Sequence, residues 1–493
     1  LYLAEIGAEE KPMILLIFPN PSPFPYHAMT PLAVFSVGTY LEQAGVEVEY
    51  YDERVQDRNE LDAILARRPS LIGISALTSF QIERGLTLTR YVRERLPGVP
   101  VAWGGVHPSM MPEQTLARPE IDFVVIREGE ETTLDLYRAL AAGTEDFGSI
   151  LGLAWKNPAG DITVNPSRPF LEADLLPFPY QGRAAQLFPR YLRPDASFPT
   201  IGYQASRGCP YSCRFCYNDF FNQRICRRKS LDKVRDELAA IRGLGADNIF
   251  FYDDSMGGRQ DLLYDLVSVM SGLSLKWSAS PRIHFMTEEL VRGFERTGCQ
   301  WLFFGIESPL DRMLRYMKKG ITREQIETGI SLMRTSSIIT TYSLMVGFPG
   351  ETYEDSLAVL DFADELHERH PSAEIVIQPY APLPGTDLYQ EALEHGFQPP
   401  PSLEDWSRFT MDRIHTPWLK SRPLFANVYL ISFLAFRYEH MLGDLDSFRW
   451  AYRIAHHLAA FRWKRRWFRF YLEGACYRAY NSFSYWKARR RGV

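Results

Sequence analysis

The chain has 493 residues, a net charge of −5, 46% hydrophobic and 23% charged residues. These are the proportions of a folded globular protein, which excludes a disordered chain or a collagen-like fibre, and the length predicts two to four domains at roughly 100–200 residues each. No run of 18 apolar residues free of charge occurs, and the opening LYLAEIGAEEKP lacks the basic-then-apolar order of a signal peptide, so neither a transmembrane helix nor a leader is expected.

Residues 1–145 alternate short apolar runs with amphipathic stretches. MILLIF (13–18), VEVEYY (46–51), LIGISAL (71–77), VPVAWGG (99–105) and IDFVVI (121–126) read as strands, with helices near 31–44, 57–68, 81–96 and 130–142. Such alternation predicts an α/β domain, a doubly wound (Rossmann-like) parallel sheet with ligands beyond the carboxyl ends of its strands. EGEET (128–132) reads as an acidic helix start that suits the helix dipole. Residues 146–195, rich in proline and polar turns, read as a linker with one small hairpin. A second alternation occupies 196–398. Strands are expected near 199–204, 248–252, 275–279, 301–305, 339–346 and 374–379, and helices near 231–243, 261–272, 287–297, 323–336 and 353–369. Six strand–helix steps predict a partial (β/α)6 barrel, again with its chemistry at the carboxyl ends of the strands. PPPSLEDW (399–406) breaks the pattern, and 399–493 reads as a helical, aromatic C-terminal tail.

The six cysteines are Cys209, Cys213, Cys216, Cys226, Cys299 and Cys476; three fall within eight residues and none lies in the first 208. A disulfide framework would spread them, so a reducing compartment and one local metal site are the better reading. SRGCPYSCRFCYN sets Cys209, Cys213 and Cys216 in a Cys-x3-Cys-x2-Cys spacing on the loop after the first barrel strand. Three soft thiolates this close suit three irons of a cubane cluster, the fourth iron being left open to a small ligand. The alternative is a zinc site of three cysteines and a distant histidine, although the paired Cys-x2-Cys knuckles usual for zinc are absent. Cys226, Cys299 and Cys476 are expected to be incidental, with Cys226 near the cluster loop.

This triad, with aromatic Phe215 before its last cysteine, resembles the signature of the radical S-adenosylmethionine (SAM) superfamily. The resemblance implies a [4Fe–4S] cluster whose open iron chelates the amino and carboxylate groups of SAM, with Phe215 near the adenine. It also implies reductive cleavage to a 5′-deoxyadenosyl radical by a one-electron donor such as flavodoxin or ferredoxin. Asp253 and Asp254 in FFYDDSM stand where the family places groups near the methionine moiety; the alternative is an N-cap for the next helix. Glu307 and Ser308 in LFFGIESP match the family's Glu-Ser pair, which implies a cofactor role. Lys318 and Lys319 of MKKG read as helix-end charges. The glycines of GFPGET (347–352) and PLPGT (382–386) permit a ligand close to the backbone or simply close tight turns.

The N-terminal domain, with Ser75, Leu77 and Thr78 at its third strand end and Gly104, Gly105 and His107 after its fourth, resembles the cobalamin-binding modules of one subgroup of the superfamily. The nucleotide tail of cobalamin is then expected to thread beside these small residues. The Asp-x-His-x-x-Gly motif of many such modules is missing: PNPSPFPYHAMT offers His27 without its aspartate and glycine. Base-off cobalamin with no histidine on cobalt is therefore expected, and His27 and His107 read as hydrogen-bonding or packing residues.

The resemblance, across about 13–390, implies methylation of an unactivated carbon of a small, apolar or natural-product-like substrate. The alternatives are cyclisation or oxidative rearrangement with the same cofactors, or a non-catalytic cobalamin-binding sensor. Residues 450–493 hold eleven Lys or Arg, one acid and thirteen aromatics. A helical cap on the barrel, peripheral docking at the inner membrane surface or contact with a greasy substrate all fit this tail. Nucleic acid is not expected as a partner, and the expected location is cytoplasmic.

Overall fold

MILLIF becomes a strand because both of its faces are covered: Ile14, Leu15 and Ile17 have no exposed surface. The computed structural model describes residues 12–470, apart from 23–27, 158, 194–199, 257, 411–413, 415, 420–421 and 437–448. The first five strands are β1 (Met13–Phe18), β2 (Glu47–Asp52), β3 (Leu71–Ser75), β4 (Val101–Gly104) and β5 (Phe123–Val125). They are parallel, in the order β2-β1-β3-β4-β5, with Leu15 beside both Glu49 and Ile72. Continuous apolar runs of this kind mark a parallel sheet sandwiched between helices. The β4–β5 interval holds two short helices, Val106–Met110 and Pro112–Leu116, too brief to show a helical period in the sequence.

The stretch expected as a linker is part of this first unit. Its hairpin, β6 (Leu153–Lys156) and β7 (Ile162–Val164), extends the sheet antiparallel from β5, with Val124 opposite Ala154. Asn157 and Asp161 close the turn by bonds between their main chains and from the Asp161 N–H to the Asn157 side chain. Phe147 sits edge-on to both Phe123 and Trp155. Further on, Tyr180 and Tyr191 meet Phe35 edge-on, and the buried Tyr191 hydroxyl donates to Asp52 at 2.7 Å. Aromatic burial, invisible in a proline-rich composition, therefore carries the first unit through Tyr191.

Residues Pro400–Thr410 also belong to this unit rather than to the tail. Ser402 caps the one-turn helix Leu403–Trp406, Glu404 pairs with Arg90 and Arg118, and the Gln114 amide donates to the Pro400 carbonyl. Trp406 has no exposed surface.

The second unit is built on six parallel strands in the order β8-β11-β12-β13-β14-β15, an open sheet that makes a partial barrel. Its strands are β8 (Ile201–Tyr203), β11 (Asn248–Phe251), β12 (Lys276–Ala279), β13 (Cys299–Glu307), β14 (Ile339–Val346) and β15 (Glu374–Pro379). The two-residue pair β9 (Ser206–Arg207) and β10 (Arg227–Arg228) lies beyond β8. The helices match the expected positions, and capping boxes at Thr322/Gln325 and Thr352/Asp355 start two of them.

After residue 410, the tail forms helices Arg422–Ala435 and Arg449–Lys464. The Ile377 N–H of β15 donates to the Ser432 hydroxyl. The Trp463 indole donates to Asp364 at 2.6 Å, and buried Arg462 donates to the carbonyls of Trp467, Arg469 and Phe470. The described part of the tail is thus a cap on the barrel. Residues 471–493, including Cys476, lie outside the described residues.

Candidate cofactor sites

The strand pair β9–β10 closes the neck of the loop that carries the three cysteines. Gly208 enters it at φ +89°, and a Cβ there would stand 2.0 Å from the Ile225 carbonyl, so only glycine fits. The Arg214 N–H donates to the Met317 carbonyl, the Leu388 N–H donates to the Arg214 carbonyl, and the Cys216 N–H turns back onto Cys213. Cys209 and Cys213 are buried and Cys216 is half-buried; all three are free thiols. Burial raises the Cys209 thiol and pushes Cys216 up to about 12, so cluster assembly must release protons. A cubane asks for one thiolate at each of three separate irons, and the donor set fits that demand.

Asp253 and Asp254 follow β11 but do not cap the next helix, whose N-cap is Gln260. Asp253 accepts from the Ala205 and Ser206 N–H groups and the Ser206 hydroxyl. Burial holds its carboxyl up to about 6. Asp254 accepts from the Gly208 N–H at 2.9 Å, the Tyr217 hydroxyl at 2.7 Å and the Asn222 amide. All four carboxylate oxygens are engaged by the chain entering or lining the cysteine loop, so the pair brackets that loop. This replaces the N-cap alternative.

At the end of β13 the register slips between Gly305 and Glu307, and Glu307 takes φ +67°. A non-glycine residue held in this region stores strain, a mark of functional positions. Its buried carboxylate accepts from the Lys319 ammonium at 2.7 Å, and Lys319 also lies 5.8 Å over the Phe215 ring. Lys319 is thus a nearly buried partner of Glu307, unlike its exposed neighbour Lys318. The Ser308 hydroxyl is turned back to its own chain, accepting from the Leu310 N–H. Arg282 stacks on Tyr211 of the cysteine loop at 3.6 Å and donates to the Lys319 carbonyl.

Phe215 meets Phe348 edge-on, and Phe348 stacks on Tyr380. Phe348 is held by Glu351, whose carboxylate accepts from the Gly347 and Phe348 N–H groups and the Ser356 hydroxyl. Burial raises Glu351 from 4.5 to about 7. The fold therefore favours its protonated form. The stabilisation this supplies is fully present below pH 4.5 and lost as pH rises through 7, a change of up to about 3 kcal/mol. In Glu351→Gln the fall in urea midpoint between pH 5 and 7.5 should shrink; an unchanged pH slope refutes the assignment.

In the first unit, Gly105 has φ +101°, and a Cβ there would lie 2.7 Å from the Ala76 carbonyl, whereas one on Gly104 would meet Val125 at an ordinary 3.7 Å. Only Gly105 is demanded by the backbone. Ser75 ends β3, Leu77 is exposed, and the Thr78 hydroxyl lies 3.1 Å from His107 Nδ1. His107 is fully buried with its ring 5.4 Å from Trp406, and burial lowers it to about 4, leaving it neutral at pH 7. Its Nδ1 faces Thr78, while its buried Nε2 has no hydrogen-bond partner among the described residues. His27 lies outside the described residues.

Residues 25–136 match the B12 binding domain and residues 203–363 match the Radical SAM superfamily. An uncharacterised methyltransferase of Pyrococcus horikoshii is 31% identical over 349 residues, covering 69% of this chain and 72% of that protein. The chain belongs to the cobalamin-binding radical SAM family. The cytidylyl-2-hydroxyethylphosphonate methyltransferase of Streptomyces wedmorensis is 25% identical, with 78% of this chain and 83% of that one covered. The fold is shared with the radical SAM methyltransferase TsrM of Kitasatospora setae, solved with cobalamin and a [4Fe–4S] cluster. The TM-score is 0.63 at 21% identity, over 78% of this chain and 75% of that one.

The two matched domains give this radical SAM protein cobalamin and SAM as its cofactors. Sequence reasoning missed Arg282, Glu351 and Trp406 and misread Lys319. Lys319 carried a signal, its place before the helix-breaking Gly320 and twelve residues after Glu307. Glu351 stood within GFPGET, its partners Gly347, Phe348 and Ser356 all within five residues, whereas Arg282 and Trp406 carried none, because their roles depend on partners distant in sequence.

Proposed function

We propose that this chain is a cobalamin-dependent radical SAM methyltransferase acting on an unactivated carbon of an apolar small molecule. The observation that carries this is a buried Cys-x3-Cys-x2-Cys loop at the carboxyl end of a parallel sheet, in one chain with a B12 binding domain. When bound, the cluster and SAM supply a 5′-deoxyadenosyl radical and cobalamin carries the methyl group. Cys209, Cys213 and Cys216 hold the cluster, Asp253 and Asp254 fix the loop that presents them, and Phe215, wedged between Phe348 and Lys319, lines the adenosyl side. Glu307 accepts from the SAM ammonium in exchange for Lys319. Ser75, Thr78 and Gly105 shape the cobalamin seat. Incubation with SAM labelled in its methyl group, a reductant, and lipid and pigment extracts should yield 5′-deoxyadenosine and a labelled product. Deoxyadenosine with an unlabelled product would mean cyclisation or rearrangement, and none at all a sensor.

The tail supports peripheral membrane contact beside its capping role. No described helix is long and apolar enough to cross a membrane. Phe461, Trp467 and Phe470 nonetheless stay exposed near Arg465 and Arg469, and each basic group near an anionic surface contributes about 1 kcal/mol. The chain should float with anionic vesicles and release at high salt, and a variant with these three aromatics changed to Ser should not. Equal behaviour of the two leaves the tail a cap alone.

A further inference from the structure

Phe215 is turned toward Phe348 and Lys319. Arg214, the residue before it, instead lines an open recess of about 630 Å³ together with Arg315, Tyr316, Lys318 and Asp387. Arg214 lies 5.1 Å over the Tyr316 ring and pairs with Glu391 behind it at 2.8 Å. Lys318 is exposed and 3.8 Å from Asp387, and Arg315 is exposed with no carboxylate partner among the described residues. The lining thus holds three cations and one acid; with Arg214 paired to Glu391 and Lys318 near Asp387, Arg315 supplies the uncompensated charge, in a chain whose net charge is −5.

We propose that this recess is the docking site of the one-electron donor, a small acidic carrier protein of the flavodoxin type. The inference rests on the radical SAM reading and deepens it. The step is a bare electron transfer: the reduced flavin loses one electron, the cluster gains it, and no atom or proton needs to cross. Electron transfer weakens steeply with distance, so the donor must come close to the irons. Arg214 is joined by a peptide bond to Cys213 and lies two residues from Cys216, so a carrier seated here is one residue of chain from two cluster ligands. A cationic rim attracts and orients an acidic partner, acting mainly on encounter rate and salt dependence.

The test uses the full chain with its cluster, SAM and two alternative donors, reduced bacterial flavodoxin and dithionite. Arg315→Glu with Lys318→Glu changes two exposed side chains. The flavodoxin concentration giving half-maximal 5′-deoxyadenosine formation should rise about tenfold and lose most of its salt dependence. The dithionite-driven rate and iron content should stay unchanged, and Arg315→Lys should behave as the unaltered chain. Unchanged dependence on flavodoxin overturns the proposal, and so does equal slowing with both donors. Dithionite-driven cleavage by the unaltered chain checks the radical reading separately, whichever way the donor comparison falls.

Discussion

Replacing Cys209, Cys213 or Cys216 by Ala should abolish 5′-deoxyadenosine formation, and the triple variant should retain almost none of the roughly four irons expected per chain. In the proposed site each thiolate anchors one iron, and of the other described cysteines only Cys226 lies near enough to Cys209 for their charges to interact. Cys299 is fully buried in β13, and Cys226 sits on the far limb of the loop, just before β10. Replacing either should leave iron near normal. The loop itself should keep its shape, because its main chain is tied to Met317, Leu388, Asp253 and Asp254. Far-ultraviolet circular dichroism should therefore be unchanged while the visible absorption of the cluster disappears. Iron content near that of the unaltered chain in the triple variant would refute the ligand assignment.

Gly105→Val should remove cobalamin binding and destabilise the first unit by about 3 kcal/mol. The left-handed backbone costs a branched residue about 1–2 kcal/mol, and the remainder comes from the clash with the Ala76 carbonyl. The carbonyl cannot move freely, since it accepts from the His107 N–H while the Ala76 N–H donates to Gly104. The strand ends carrying Ser75, Thr78 and His107 would be pushed apart. Gly104→Ala is the control: its Cβ meets only an ordinary contact, so stability and cobalamin retention should stay within a few tenths of a kcal/mol of normal. Equal cobalamin content in the two variants, measured by its visible spectrum after gel filtration, would remove Gly105 from the cofactor seat.

The parallel strands and their helices were legible because each carries its own period and each strand is covered on both faces. Ile14, Leu15 and Ile17 announce a buried strand without reference to anything else. What escaped is decided by partners far away in sequence. The β6–β7 hairpin reads as polar turns until Phe147 and Trp155 find Phe123, and the 400–410 segment reads as a break until Trp406 finds His107. In the site, the cysteines were plain from spacing and chemistry alone. Asp253 and Asp254 were noticed for the right reason, as carboxylates at a strand end, but half of the groups they accept from are main-chain N–H groups that no side-chain pattern reveals, and the other half, on Ser206, Tyr217 and Asn222, lie more than thirty residues upstream. Glu307 was found by its motif; its left-handed backbone and the Lys319 partner needed the register slip of β13.

The return of Pro400–Thr410 to the first unit has a consequence for the order in which the protein is made. The first continuous stretch of that unit ends at Tyr191 and its last described contribution at Thr410, 219 residues later (410 − 191). At about 5–20 residues per second of synthesis, some ten to forty seconds separate the emergence of the two. During that interval the nascent first unit has its sheet but not Trp406, so His107 is uncovered and Arg90 and Arg118 lack Glu404. The B12 binding domain thus reaches its finished form only after nearly all of the radical SAM sheet has left the ribosome. A chain stalled before residue 400 should expose that surface to chaperones and proteases even though every strand of its first sheet is complete.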